Sequence, residues 1–362
     1  MQMYHLKPLQ ESRTQATLTS GEGEPPGPHS TTLQPSWQQH MKQAIRDPLE
    51  LCQQLGLPLS LVPDARDAAS SFPLFAPRPF VSRMQHGNPH DPLLRQLLPI
   101  RDELAETPEF TADPLAEHAS QGAHGLLQKY HGRALLVTTG ACAIHCRYCF
   151  RRHFPYHESS AVGGQWQPAI DQLAADESIE EVILSGGDPL TLVDSQLEQL
   201  VDHLQEIPHL KQIRIHTRLP IMIPSRVCDS LLGWLTNTRL QPIMVIHANH
   251  AQELDGEVAE ALGRLAEAGL LLLNQSVLLA GVNDNATTLA DLSRRLIELR
   301  VLPYYLHQLD RVQGAAHFEV STERGCEIIE QLAARLPGYG VPRYVRESPG
   351  HAGKVPITSS LA

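Results

Sequence analysis

The chain has 362 residues, long enough for one large domain with an appendage or for two domains. Apolar residues make up 42%, an ordinary share for a globular fold, and 29 basic against 40 acidic side chains give a formal net charge of −11. That balance, without a long basic run, argues against a nucleic-acid groove. No stretch reaches the roughly 18 apolar residues of a membrane span, and residues 1–28 lack the apolar core of a signal peptide, so a cytoplasmic protein is expected.

Residues 1–34, rich in Ser, Thr, Gly, Pro and Gln, read as a flexible arm. Residues 35–56 place Trp37, Met41, Ala44 and Ile45 at helical spacing and predict a helix. Residues 57–114 are too Pro-rich for one long helix, and Asp91-Pro-Leu-Leu predicts a short helix with Pro in its first turn. Residues 35–125 are therefore expected to form a mainly helical and looping N-terminal region packed against the core at 126–340. Residues 341–362 are set apart as a C-terminal segment carrying Lys354.

From 133 onward the pattern is regular. Strand-length apolar runs at 134–138, 181–184, 212–216, 242–247, 270–275 and 303–308 alternate with helical patterns at about 168–176, 191–206, 226–237, 252–268, 286–300 and 321–336. Six such pairs imply parallel βαβ units with right-handed crossovers. They are too few for the eight-stranded closed barrel, so the expected fold is an open partial TIM-type barrel, (β/α)6; periodicity alone also fits a flat doubly wound sheet. In barrels of this kind the active site lies where the strands end. The predicted ends carry Cys142, Cys146 and Cys149, then Ser185-Gly-Gly-Asp-Pro189, His216-Thr-Arg218, His247-Ala-Asn-His250, Asn274-Gln275 and His307-Gln-Leu-Asp310.

The cysteines stand in a C-x3-C-x2-C spacing, while Cys52, Cys228 and Cys326 are dispersed and read as small buried hydrophobes. Thiolates are soft ligands for zinc or iron–sulfur clusters, and a set of three on a [4Fe–4S] cube leaves one iron open. A structural zinc site would need a fourth ligand such as His145 or His153. Gly186-Gly187 lets backbone approach a ligand closely. The chain has five lysines (Lys7, Lys42, Lys129, Lys211 and Lys354), so Lys354, between small residues in Gly-His-Ala-Gly-Lys, draws notice as either a surface charge or a Schiff-base lysine. Lys129 and Arg133 could hold a phosphate, and Arg151 a carboxylate. Asp310 and Glu347 could together receive an ammonium group.

The combined pattern resembles the radical S-adenosylmethionine (SAM) signature, with Tyr148 before the last cysteine. Downstream, SGGDPL (185–190), IHTRLP (215–220), IHANH (246–250), NQSVLLAGVND (274–284), PYYLHQLD (303–310) and PGHAGK (349–354) resemble the lysine 2,3-aminomutase family. FPLFAPRPF and the stop soon after Lys354 resemble its short bacterial branch, which makes β-lysine for elongation factor P. The resemblance implies a [4Fe–4S] cluster on Cys142, Cys146 and Cys149. It implies SAM at Gly187, His247 and Gln275, and pyridoxal 5′-phosphate (PLP) on Lys354 with Lys129, Tyr130 and Arg133 around it. L-lysine would be held by Arg151 at its carboxylate and by Asp310 and Glu347 at its ε-ammonium. Implied partners are an electron donor such as flavodoxin or ferredoxin and a β-lysine ligase downstream; no nucleic acid and no membrane are expected.

Three departures from the family pattern stand out. Glu347 replaces an aspartate, His351 interrupts a glycine-rich run, and Asn285 stands where long members carry a zinc-ligating cysteine. Two rival readings remain at this point. An aminomutase for glutamate would need a cation or amide where Asp310 and Glu347 stand, and a non-catalytic zinc-knuckle protein would leave the strand-end pattern without a purpose.

Overall fold

The computed structural model describes residues 35–117, 125–156, 166–351 and 353–359; the arm expected at 1–34 lies outside them. The N-terminal region begins with α1 (Trp37–Lys42), α2 (Pro48–Leu55) and α3 (Val62–Ala69). The single helix expected over 35–56 is two. Asp47 caps α2 by accepting from the Leu49 N–H at 3.1 Å, and Pro48 takes the first helical position, where a missing N–H costs nothing. Ile45, between the two helices, instead forms a β-bridge with Ala76. Gly56 ends α2 in the left-handed conformation at φ 62°. Pro92–Arg95 forms the expected single turn, capped by Asp91.

The rest is one nine-stranded sheet in sequential order: β1 (Leu126–Tyr130), β2 (Arg133–Thr139), β3 (Glu181–Gly186), β4 (Gln212–Thr217), β5 (Gln241–Ile246), β6 (Leu271–Val277), β7 (Leu302–His307), β8 (Arg343–Arg346) and β9 (Val355–Pro356). β2 through β8 pair in parallel, while β1 and β9 run antiparallel at the two edges. The crossovers are α4 (Gln167–Ala175), α5 (Asp194–Gln205), α6 (Asp229–Thr236), α7 (Gly256–Glu267), α8 (Ala286–Glu298) and α9 (Thr322–Ala333). This is the (β/α)6 partial barrel, extended by a seventh parallel strand. β3 buries five of its six residues, as expected of a parallel strand covered on both faces.

Three strands were not expected. β1, β8 and β9 are short and half-polar, and β8 and β9 make the C-terminal segment part of the sheet. The sheet is open but curled: Lys129 on β1 and Glu347 just beyond β8 meet at 3.3 Å. Asn285 is the N-cap of α8 and accepts from the Thr288 N–H at 2.9 Å.

The N-terminal region is bolted to the barrel through arginine. Arg83 donates to Asp255 at 2.9 Å and to the Ile221 carbonyl at 2.6 Å. Arg226 lies over the Trp37 ring, 4.8 Å from its centroid. Among the described residues no helix is long and apolar enough to cross a membrane.

Candidate active site

The cysteine loop leaves β2 at Thr139 and lies against the β3 exit. That fit explains the glycine pair. A Cβ on Gly187 would stand 2.3 Å from the Ala141 oxygen, and Gly186 adopts φ 122° beside the Thr139 oxygen. The Gly187 and Asp188 N–H groups donate to the Thr139 and Ala141 carbonyls, both at 2.7 Å. The glycines thus admit the chain's own cysteine loop, and both also line the cavity. Asp188 then ties β3 to the start of the next exit, accepting from Thr217 Oγ1 (2.7 Å) and the N–H groups of Leu190, Arg218 and Leu219.

Behind the loop sits a buried ion cluster. Arg147 donates to Glu103 through Nε (2.9 Å) and Nη2 (2.5 Å), and Arg152 reaches the same carboxylate at 2.8 Å. Glu103 and Arg147 side chains are wholly buried. Arg218 donates to Glu253 (2.9 Å) and Gln96, and points Nη1 at the Cys146 sulfur, 2.9 Å away.

Burial, followed by the neighbouring cysteines, pushes the Cys142 thiol up strongly and the Cys149 thiol up to about 11. Such thiols ionise when a cationic metal centre compensates them. Among the described residues no three His, Cys, Asp or Glu side chains converge as on a single ion. All three cysteines line one cavity, and a [4Fe–4S] cluster takes one thiolate per iron. His145 and His153, the candidate fourth zinc ligands, each direct one ring nitrogen to a backbone carbonyl, of Pro73 (2.8 Å) and Gln313 (3.2 Å).

Further round the barrel, His216 and His247 meet nitrogen to nitrogen at 3.3 Å. Burial, then Arg218 and Lys354, lowers His247 to about 3, so this ring stays neutral and can accept. Gln275 Oε1 and His307 Nε2 are buried without a hydrogen-bond partner among the described residues. Orphaned polar atoms of this kind at a cavity wall fit a polar ligand.

From Lys354 to Arg151, which directly follows the cysteine loop, an alternating chain of charges runs along the cavity. Lys354 Nζ donates to Glu347 at 3.1 Å. Glu347 also takes Lys129 at 3.3 Å, Lys129 donates to Glu117 at 3.0 Å, and Glu117 accepts from Arg151 Nε and Nη2 at 2.7 and 2.8 Å. Burial would raise Glu347, but the two lysines overcome it and hold the carboxyl at about 2. The Asp310 carboxylate faces the same space and accepts no hydrogen bond from the described residues. Burial, then the Glu347 carboxylate, pushes Asp310 up to about 7. Tyr130 is raised by burial and by Glu347, and the Arg133 guanidinium lies over its ring at 5.5 Å.

Every residue singled out for cluster, SAM, PLP or lysine lines this one cavity of about 380 Å³: Cys142, Cys146, Cys149, Lys129, Tyr130, Arg133, Gly187, His247, Gln275, Arg151, Asp310, Glu347 and Lys354. Sequence reasoning missed Glu117. It stands alone among ordinary acidic residues, and no spacing marks it. It also missed Arg218's contact with a cysteine, although IHTRLP ends a predicted strand.

A sequence profile described as a 4Fe-4S single cluster domain matches residues 131–218. L-lysine 2,3-aminomutase of Escherichia coli is 46% identical over 92% of this chain and 97% of its own length. The protein of the same name from Haemophilus influenzae is 45% identical over 88% and 94%. That from Acetoanaerobium sticklandii is 39% identical over 77% of this chain and 67% of its own. A solved structure, a radical SAM methyltransferase from Sphaerobacter thermophilus, overlaps in part: TM-score 0.41 and 20% identity over 61% of this chain and 68% of that one. With its cysteine loop, its strand-end residues and Lys354 gathered on one cavity, the chain belongs to the L-lysine 2,3-aminomutase family, radical SAM isomerases that use a [4Fe–4S] cluster, SAM and PLP.

Proposed function

We propose that the protein moves the α-amino group of L-lysine to the neighbouring carbon, giving (R)-β-lysine for the modification of elongation factor P. One observation carries the lysine reading. The cavity that gathers the three cysteines and Lys354 also carries a carboxylate, Asp310, without a hydrogen-bond partner among the described residues. A carboxylate half-buried in a cavity wall without a partner is costly, and a substrate ammonium offsets that cost. A second carboxylate on the substrate, as in glutamate, would be repelled by both Asp310 and Glu347.

When bound, the cluster and SAM supply a hydrogen-abstracting radical, and PLP supplies an electrophilic aldehyde and a conjugated system through which nitrogen can migrate. The chain's own residues bind and orient. Cys142, Cys146 and Cys149 hold the cluster, and Arg218 places a positive charge on the Cys146 sulfur. Gly187, His247 and Gln275 receive SAM; the neutral His247 ring and the orphaned Gln275 oxygen accept from its polar groups. Lys354 would hold PLP through its amine, and Lys129, Arg133 and Tyr130 would hold the phosphate. Arg151 takes the lysine carboxylate, and Asp310 with Glu347 takes the ε-ammonium. Glu347, held between Lys354 and Lys129, must share its charge with both lysines.

Flavodoxin or ferredoxin would deliver the electron, and a β-lysine ligase would use the product, in the cytoplasm. The experiment is anaerobic reconstitution with iron, sulfide, PLP, SAM and a reductant, followed by chiral analysis of the product. (R)-β-lysine from L-lysine is expected, with glutamate unchanged. An intact cluster and bound PLP without β-lysine would defeat the reading. In the same series Lys354→Ala is expected to abolish turnover and the visible absorbance of protein-bound PLP.

A further inference from the structure

Glu117 is the one member of the five-residue ion chain for which the site reading has no task. It is also the best-placed member. Its side chain is 3% exposed, and one carboxylate serves both cations: Oε1 receives Lys129 Nζ and Arg151 Nη2, and Oε2 receives Arg151 Nε.

The way Arg151 is held matters. A guanidinium has five N–H donors in a planar fork. Nε and Nη2 use two on Glu117, and Nη1 uses one on Ser185 Oγ at 3.1 Å. Two donors remain, one on each terminal nitrogen, and a carboxylate has an oxygen for each. Glu117 therefore occupies the side of Arg151 and leaves its outer edge available at the cavity.

The loop that delivers Glu117 is itself pinned. Thr111 exchanges backbone hydrogen bonds with Arg311 and Gln313, each at 2.9 Å, beside the β7 exit. Asp113 accepts from the Glu117 N–H at 3.0 Å. Ala116 adopts φ 50°, a left-handed conformation disfavoured for a residue with a Cβ. The chain sustains that strain at the residue immediately before Glu117, where it turns the carboxylate inward.

We propose that Glu117 is the positioning residue of the substrate-carboxylate clamp. By gripping the side of Arg151 and the ammonium of Lys129 with one carboxylate, it aims the outer edge of Arg151 at the lysine carboxylate. It also fixes the span between that carboxylate and the cofactor phosphate. This rests on the assignment of Arg151 and Lys129 proposed above.

The test uses full-length protein reconstituted with cluster and PLP but without SAM, so that ligands bind without turnover. L-lysine and L-lysinamide, which lacks the carboxylate, are titrated against the visible absorbance of bound PLP. Wild type is expected to prefer lysine. Glu117→Gln should weaken lysine about tenfold, the scale of one misaligned charge-assisted pair, and leave lysinamide within about twofold. Glu117→Asp, which keeps the charge but shortens the reach, should shift lysine in the same direction by about threefold. With SAM and reductant added, KM for lysine should rise while kcat stays within about threefold.

Equal weakening of both ligands would make Glu117 merely structural and overturn the proposal. Unchanged or tighter lysine binding would overturn it as well, tighter binding marking Glu117 as a competitor for Arg151. Arg151→Gln separates the two levels of the argument. If it keeps the preference for lysine, the reading of Arg151 fails. If it loses the preference while both Glu117 variants retain it, Arg151 stands and the role of Glu117 falls.

Discussion

The layer in and behind the cysteine loop (the cysteine wall) and the ion chain that leads to Lys354 (the amine wall) are built from the same kinds of residue and used in opposite ways. On the cysteine wall, Arg147, Arg152 and Arg218 are matched with Glu103, Glu253 and Gln96, and Asp188 accepts four hydrogen bonds. These groups are engaged with one another. On the amine wall, Lys354, Glu347, Lys129, Glu117 and Arg151 are paired in a line, while the Asp310 carboxylate accepts nothing from the described residues. Buried ion pairs contribute little net stability, but removing one partner is expensive because the other charge is left behind. The cysteine wall uses that asymmetry to hold a loop in one place. On the amine wall the same asymmetry makes incoming charges welcome, provided that each finds the partner it needs.

The contrast is broken most forcefully at Glu103. Glu103→Gln leaves two buried guanidinium groups without their carboxylate, at a cost of about 3–5 kcal/mol. Denaturant unfolding of the cluster-free protein checks this directly. A loss below about 1 kcal/mol would mean that the cysteine wall is not rigidly held by this cluster. Iron content after reconstitution should fall as well, since Arg147 and Arg152 flank Cys149 in the loop.

A smaller effect is expected at the glycines, where the two walls differ within one residue type. At Gly187 a Cβ would collide with the Ala141 backbone, so Gly187→Ala should cost about 1–3 kcal/mol and disturb cluster loading. At Gly353, beside Lys354, a Cβ would meet nothing within 4 Å, and Gly353→Ala should lie within about 0.5 kcal/mol of wild type. Unfolding curves of the two variants give the comparison. Similar costs at both positions would remove the distinction between a packed wall and an open one.

How much of this the sequence disclosed follows from the range of each interaction. The parallel strands β2 through β7 and their helices were legible because burial on both faces writes a continuous apolar run. Strand-end chemistry was legible because the fold delivers every strand end to one rim. The edge strands were not: β1 and β9 pair on one side only, and β8 has four residues, two of them exposed arginines. The break between α1 and α2 carried its signal in Asp47-Pro48, the same capping pair as Asp91-Pro92, but the apolar spacing of Trp37 to Ile45 suggested continuity. Glu117 and Glu103 were silent. Their partners lie 34 and 44 residues away, and a side-chain pairing over that distance leaves no period in the chain. The glycine pair was legible as a close approach, but only the fold shows that the approaching group is Ala141.

The finest comparison is between the two carboxylates of the amine wall. Glu347, held by two lysines at about 2, stays ionised across the working range, whereas Asp310, with its carboxyl at about 7, changes charge within it. The sign follows from the chemistry. Below pH 7 Asp310 is mostly neutral, and it must lose its proton to pair with an ammonium. Lysine affinity should therefore weaken as pH falls through 7, approaching about tenfold per pH unit well below it, and level off above. Asp310→Asn should remove that dependence and lower affinity most at high pH, where the wild-type carboxylate is charged. PLP chemistry has its own pH dependence, so the informative quantity is the ratio of wild-type to variant lysine affinity from pH 6 to 8.5. It should grow with pH and then plateau. A flat ratio would show that Asp310 does not receive the ammonium, and would leave Glu347, already shared between Lys354 and Lys129, as the carboxylate that must.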